Sequence, residues 1–517
     1  MVNNTTDEYI QNHLPIYLLS LPEMKLVKRN AVKQHMQSTI DDLVEHCCML
    51  EESSQGEYIR QSVMKETAYA ILSHRWLPAG ELTFQDTSKI GQSVDGFHKL
   101  LALREETPDG ERELLNADNL LDFVERYKRG SKEEHTYADA FSVTKRLCES
   151  MSEEERRHCG GFVKLVEFCN VAQVQFHCKY VWLDTGCINH SSSAELEESI
   201  RSMYNWYRNS EICVVHLNET SNALSLRRDA WFTRGWTLQE LLAPRKIKFF
   251  DQSWRPLTPQ CYNDKIPDTE LGVPLWRTIC EITEIPISQL LSFEPGMHNV
   301  RERMFWASAR KTTRIEDKAY CLIGIFDVSL SIAYGEGTMA FHRLQLEIMQ
   351  RSDDKRLFAW HGQASAYNSM LASGPECFFR PMWSFLPEVE GGPNLDTTYA
   401  LTNRGLRMSV SVYSVESSKP VGVFLVDDSD VVRSDLDEND SGVRYELIVE
   451  GLGRMAVKLR EQKFGRLKIA ILGNASSTTS VAVLLEFSEA TRQYKRITVL
   501  EVKRLSPWKH PEIIFIT

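Results

Sequence analysis

Trp231-Phe232-Thr233-Arg234-Gly235-Trp236-Thr237-Leu238-Gln239-Glu240-Leu241-Leu242-Ala243-Pro244, followed at once by Arg245-Lys246-Ile247-Lys248-Phe249-Phe250-Asp251, reads as a short helix running into a strand. Gly235 suits a turn leading into the helix, and Trp236 to Ala243 contains good helix formers. Pro244 has no N–H for the i to i−4 ladder, so the helix stops near Ala243. Leu238, Leu241 and Leu242 share one face, whereas Trp236 and Glu240, four apart, sit one above the other on another. Two roles for Glu240 fit this pattern. It is either a solvent-facing or arginine-paired residue of an amphipathic helix, or a carboxylate held against an aromatic wall to act on a bound ligand.

Working outward, the neighbouring segments favour a parallel α/β sheet. Tyr69-Ala70-Ile71-Leu72-Ser73 is a short buried strand ended by His74-Arg75-Trp76 and the turn residues Pro78-Ala79-Gly80. Gly161 to Val174 is an amphipathic helix, with Val163, Val166 and Ala172 among its apolar positions, leading to a second strand, Tyr180-Val181-Trp182-Leu183-Asp184, with the acid at its carboxyl end. Ser192-Ser193-Ala194-Glu195 is a capping-box pattern, opening a helix with Leu196, Ile200, Met203, Tyr204 and Tyr207 on one face. Ile212-Cys213-Val214-Val215 is the next strand. Open parallel sheets keep their ligands beyond the carboxyl ends of the strands, which places His74, Arg75 and Asp184 at a candidate cleft. His74 and Arg75 also read as ordinary loop residues, and Asp184 as a turn cap.

Residues 1–68 read as a mostly helical segment. From about Phe84 to Cys159 the sequence is charged and uneven, as expected of a surface insertion, largely helical or partly disordered. Beyond about residue 262 the pattern is helical to about 362. Thr313-Arg314-Ile315-Glu316 is a second capping-box pattern, before Ala319, Leu322, Ile323 and Phe326. Gly335-Glu336-Gly337 reads as a turn rather than a phosphate cradle, because no strand leads into it. From about 363 to 517, alternating segments (Leu406–Val412, Val421–Val426, Tyr445–Val449, Leu467–Leu472, Val481–Phe487, Ile497–Val502, Ile513–Ile516) predict a β-sandwich-like domain, with the acidic Asp427–Asp440 as a solvated loop.

A chain of 517 residues is too long for one core, and 42% hydrophobic with 25% charged content is that of a globular protein. The net charge of −11 argues against general nucleic-acid binding. Met1 to Glu8 has no signal architecture, and the most apolar run, Ala319 to Tyr334, is too short to span a bilayer, so a cytoplasmic location without a membrane span is expected. The 12 cysteines form no Cys-x-x-Cys pair, and the spacing of His177, Cys178, Cys187 and His190 does not match zinc pairs, so no metal site is expected. Neither a P-loop nor a Gly-x-Ser-x-Gly elbow is present.

Tyr69 to Trp76, Tyr180 to Ser193 and Trp231 to Pro244 resemble, in order, three blocks of the heterokaryon-incompatibility (HET) domain family of filamentous fungi. Arg303 to Tyr320 and Tyr334 to Gln345 resemble the helical extension that often follows it. Leu77 stands where the family usually has glycine, and Asn189-His190 where it usually has an Asp-Lys or Asp-Gln pair. HET domains are in turn similar to TIR domains, whose Trp-Cys-x-x-Glu-Leu segment carries a catalytic glutamate, and Trp236-Thr237-Leu238-Gln239-Glu240-Leu241 resembles it.

The resemblance implies a TIR-like, flavodoxin-like α/β domain over residues 69–262. It implies cleavage of the nicotinamide–ribose bond of NAD with Glu240 as the catalytic residue, in self/non-self recognition or programmed cell death. NAD is then a substrate, and no cofactor is implied. Ser73, His74, Arg75, Trp76, Asp184, Arg234 and Trp236 would line the substrate site. Partners would be NAD or a related nucleotide, with self-association or an incompatibility partner protein. The rival expectations are a non-enzymatic TIR-like assembly module and an enzyme acting on another nucleotide.

Overall fold

The computed structural model describes residues 2–21, 23, 25–47, 52–77, 81–90, 159–221, 225–259, 262–266, 272–379, 399–420, 443–449, 453–459, 466–474, 479–503 and 512–516. The expected turn at Pro78-Ala79-Gly80, most of the charged insertion, the strand Val421–Val426 and the acidic Asp427–Asp440 lie outside these residues. The chain divides into two compact units, Met1–Glu294 and Pro295–Thr517.

In the first unit, helices α1 (Val2–His13), α2 (Arg29–His35), α3 (Gln37–Cys47) and α4 (Glu52–Glu66) precede strand β3 (Tyr69–His74). Strands β1 (Tyr17–Ser20) and β2 (Lys25–Lys28) interrupt them. That hairpin is absent from the sequence expectation of a helical N-terminal segment. Its strands are four residues long, and Leu18 and Leu19 are both fully buried, so no alternation marks them. After α5 (Phe84–Ile90) come α6 (Cys159–Val174), β4 (Tyr180–Trp182), α7 (Asp184–Cys187), α8 (Ser193–Asn209), β5 (Ile212–His216), α9 (Thr237–Leu242) and β6 (Ile247–Phe250). Helices α10 (Gly272–Thr283) and α11 (Ile287–Leu291) complete the unit.

Six strands form one sheet in the order β2-β1-β4-β3-β5-β6. The four from β3 onward are parallel, with β3 against both β4 and β5, and β5 against β6. Numbered along the chain, these four read 2-1-3-4, the beginning of the flavodoxin-like order. The hairpin adds antiparallel through Leu19 opposite Val181. The parallel strands are buried on both faces, as expected where helices cover both: every residue of β3, β4, β5 and β6 is buried.

Alternation along β3 sends Tyr69, Ile71 and Ser73 to one face and Ala70, Leu72 and His74 to the other. Helices α8 and α9 cover the first: Tyr69 donates its hydroxyl hydrogen to the Trp206 carbonyl at 2.5 Å, and Ser73 meets Glu240. Helix α6 covers the second, through Lys164. The capping pattern at Ser192 forms in part, with the Glu195 amide donating to Ser192 Oγ at 3.4 Å.

In the second unit, α12 (Val300–Ser308), α13 (Asp317–Tyr320) and α14 (Met339–Arg351) lead to strands β7 (Tyr399–Thr402), β8 (Gly405–Pro420), β9 (Val443–Val449), β10 (Gly453–Leu459), β11 (Arg466–Asn474), β12 (Thr479–Ser488), β13 (Gln493–Lys503) and β14 (Glu512–Ile516). The second capping box does not form as expected. Helix α13 starts four residues after Thr313 and is one turn long, and the Glu316 carboxylate instead accepts the amides of Gly335 (2.8 Å) and Gly337 (3.1 Å). Both glycines have positive φ, 103° and 61°, so the Gly335-Glu336-Gly337 segment is a turn held by an internal carboxylate. Where strand spacing predicts a sandwich, the strands instead close on themselves. β8 pairs with β11, β11 with β12, β12 with β13, β13 with β14, and β14 returns to β8. The sixteen-residue β8 allows this, pairing with β14 over 406–410, with β11 over 411–414 and with β9 beyond. No helix among the described residues is long and apolar enough to cross a membrane.

Candidate functional site

The carboxyl ends of β3 and β5 mark the point where strand order reverses, and the polar residues gather there. Helix α9 lies against that end, with Trp236 at its N-cap and Ala243 at its C-cap, close to the bounds expected from Gly235 and Pro244. All six of its residues are buried. Glu240 does not face solvent: it is 6% exposed and its carboxylate meets Ser73, with the Arg234 charge also acting on it.

A hydrogen-bonded relay fixes that carboxylate. Trp231, fully buried on the 3-10 turn before α9, donates its indole N–H to Ser73 Oγ at 2.9 Å. An indole N–H can only donate, so the Ser73 oxygen accepts and its own hydrogen goes to Glu240 Oε2, at 2.5 Å. Tyr207 reaches the same place from α8 and donates its hydroxyl hydrogen to the Leu72 carbonyl at 3.0 Å. Burial pushes the Glu240 carboxyl up to about 8, and the charge of Asp184 adds to the rise. Ser73, Arg234 and Tyr207 pull against it without winning. Burial thus favours the neutral form of the Glu240 carboxyl.

Asp184 opens α7 at the end of β4. Its Oδ1 caps its own turn through the Thr185 amide at 2.8 Å, and its Oδ2 accepts the Trp76 indole N–H at 2.7 Å. The turn-cap role foreseen for it is therefore present. Trp76 is 42% exposed, with the Arg234 guanidinium 5.4 Å from its ring centroid and the His190 ring edge-on at 6.5 Å. Arg234 Nη1 also reaches the His74 carbonyl at 3.4 Å. Arg75 is ion-paired with Glu219, whose other oxygen accepts the Ala230 amide. Trp236 is half-buried at the head of α9.

Ser73 and His74, both expected on one cleft floor, point to opposite faces of the sheet. His74 is buried, with Nε2 3.6 Å from Glu81 and 3.9 Å from Asp184. Glu81 pairs with the buried Lys164 and accepts the Leu77 amide at 2.7 Å. Burial raises the Glu81 carboxyl, but His74 and Lys164 outweigh it and bring it down to about 2. Burial pulls Lys164 below the usual lysine range, against the Glu81 charge. His216, opposite His74 in register, stacks on Trp254 at 4.2 Å, and burial lowers its imidazole to about 3.

Glu81, Lys164, Tyr207 and Trp231 belong to this neighbourhood and were not among the expected site residues. Tyr207 read as part of the apolar face of its helix, and Trp231 carried no assigned role. Lys164 left a signal, a single cation within the apolar stretch of Gly161 to Val174. No group of three or more His, Cys, Asp or Glu side chains among the described residues could hold a metal ion.

Comparison with known proteins bears on this geometry. Residues 163–228 match the family model "Heterokaryon incompatibility protein (HET)", a span from α6 through β5 that contains Lys164, Asp184 and Tyr207 and ends just before Trp231. The chain is 39% identical over 198 residues to Vegetative incompatibility protein HET-E-1 of Podospora anserina, covering 35% of this chain but only 14% of that protein. No solved structure matches. With the family match lying on the parallel sheet whose strand ends gather Ser73, Asp184 and Glu240, the chain carries a heterokaryon-incompatibility (HET) domain.

Proposed function

We propose that this protein acts in incompatibility and cell death by cleaving the nicotinamide–ribose bond of NAD in a TIR-like site, with Glu240 as the reacting carboxylate. The observation that carries this is the Trp231–Ser73–Glu240 relay at the strand-order switch point, where a buried carboxyl is held by a donor that favours its ionised form. Nicotinamide leaves as a neutral molecule, taking the bonding electrons, so no acid is needed to expel it. The ribose is left oxocarbenium-like, and water adds to give ADP-ribose and a proton. A carboxylate beside that carbon stabilises the positive charge. Burial favours the neutral Glu240 carboxyl, whereas the cationic nicotinamide riboside would favour its ionisation, since an opposite charge at close range lowers a carboxyl pKa.

Trp76, half-covered by Arg234, offers a ring surface for stacking, and Asp184 fixes its indole. Arg234, over the Trp76 ring, and Arg75, paired with Glu219, are the candidates for the pyrophosphate. The Glu240 carboxyl is 6% exposed, so a ligand reaches it by displacing covering side chains, a step that self-association would promote.

The test is nicotinamide release from NAD by purified protein, with and without conditions that promote oligomers, against Glu240→Gln. Release abolished by the variant supports the proposal. No release from a demonstrably assembled protein, beside an active control enzyme, overturns it and leaves the assembly module. Analysis of the products separates hydrolysis from cyclisation and from action on another nucleotide.

A further inference from the structure

Behind the Ser73–Glu240 hydrogen bond, on the opposite face of the sheet, lies a charged cluster that the proposed reaction does not use. Lys164 rises from α6 into a buried position and is 4% exposed. Its ammonium pairs with the Glu81 carboxylate and donates to the Arg75 carbonyl at 3.3 Å. Glu81 in turn accepts the Leu77 amide at 2.7 Å and stands 3.6 Å from His74 Nε2. The two backbone groups flanking Trp76, the carbonyl before it and the amide after it, are thus both held from the far side of the sheet by one ion pair. Trp76 itself is 42% exposed, and its indole N–H meets Asp184 on the pocket side.

The Lys164 ammonium is buried and the Glu81 side chain is 14% exposed, so the pair gives up much of its hydration, a cost that an apolar pair in the same space would not carry. What the charged pair supplies is directional: a cation for one backbone carbonyl and an anion for one backbone amide, on either side of a single exposed aromatic residue. Its arrangement matches a demand for accurate placement of Trp76.

We propose that Lys164 is a positioning residue for the candidate site, acting with Glu81 to hold Trp76 and its bond to Asp184, the carboxylate whose charge acts on Glu240. Its consequence for turnover rests on the reading of Glu240 as the reacting group; its consequence for the backbone at Trp76 does not.

The experiment compares Lys164→Met, Lys164→Arg and Glu81→Gln with the unaltered protein by site-resolved hydrogen exchange at the Leu77 amide, and by nicotinamide release where the unaltered protein shows it. Lys164→Met is expected to speed Leu77 exchange and raise KM for NAD roughly tenfold while kcat moves less, a misplacement effect exerted from outside the pocket. Lys164→Arg should restore much of both. In a Trp76→Ala background Lys164→Met should add little to KM, because both act through the same ring; a merely structural loss would add in full. Should Lys164→Met fail to fold, Lys164→Arg and Glu81→Gln carry the exchange measurement. Unchanged Leu77 exchange in folded Lys164→Met, or in Glu81→Gln where that variant stands in for it, overturns the proposal. Where nicotinamide release is absent altogether, the reading of Glu240 fails and the exchange result still decides the role of Lys164.

Discussion

Ser73 gives its hydroxyl hydrogen to Glu240 and takes one from Trp231, so a single side chain with no solvent exposure sets the direction of a three-residue relay. Removing it has two separable effects. Ser73→Ala leaves the Trp231 indole N–H buried without its acceptor and should cost about 1–3 kcal/mol in denaturant unfolding. It also removes a donor that favours the ionised carboxylate, so the pKa of Glu240 should rise further. If nicotinamide release depends on ionised Glu240, the alkaline-rising limb of kcat/KM should move to higher pH in Ser73→Ala; an unmoved limb would mean that another group governs it.

Stability should carry the same signature. The Glu240 carboxyl titrates near 8 in the folded chain and near 4.3 when unfolded. The folded state therefore binds the extra proton between those values. This contribution is fully present below about pH 4 and is lost as pH rises through about 8, a total of roughly 3–5 kcal/mol. Glu81 has the opposite sign: held down to about 2, it stabilises above about pH 4 and loses that effect as pH falls toward 2. Unfolding midpoints measured from pH 4 to 9 should show Glu240→Gln gaining on the unaltered protein up to about pH 8 and then running parallel. Glu81→Gln should lose most at neutral pH and least in acid.

Asp184 connects the two faces of the sheet, since it raises the Glu240 carboxyl from one side and stands 3.9 Å from His74 Nε2 on the other. Asp184→Asn keeps an oxygen for the Trp76 indole but removes the negative charge. The pKa of Glu240 should then fall, shifting the pH–rate limb toward acid, opposite to Ser73→Ala. A shift in the same direction for both variants would contradict the assignment of the limb to Glu240.

Much of this was legible because it depends on short-range chemistry. Gly235 and Pro244 bracket α9 in the sequence as they do in the fold, and the apolar runs at Tyr69, Tyr180, Ile212 and Ile247 are the four parallel strands. What sequence order hid is what depends on facing. Consecutive residues of an extended strand point apart, so Ser73 and His74 were expected together and lie on opposite sides. The hairpin β1–β2 escaped because its two strands take their partners from each other and from β4, about 160 residues away, and not from any local pattern. The barrel escaped for a related reason: alternation marks each strand, but only the pairing of β14 with β8 distinguishes closure from two stacked sheets. Lys164 and Glu81, 83 positions apart, give no sequence sign that they pair.

Beside the site, Lys248 and Asp264 form a second buried ion pair at 2.9 Å, with side chains 1% and 0% exposed. Asp264 also accepts the Phe249 amide at 2.9 Å and the Thr258 hydroxyl at 2.5 Å, and Lys248 donates to the Thr258 carbonyl at 2.9 Å. These bonds pin the segment after β6 against that strand, while the neighbouring Lys265 donates to the Pro244 carbonyl at 2.7 Å just past α9. Lys248→Met strands a buried carboxylate and should cost about 3–5 kcal/mol. Asp264→Asn strands the Lys248 ammonium in turn and replaces one of two accepting oxygens with a donor, so its cost should be comparable. In the double variant no uncompensated charge remains, so its loss should fall well short of the sum of the singles. Equality with that sum in urea unfolding would show that the two side chains act independently and that the pair does not hold the segment.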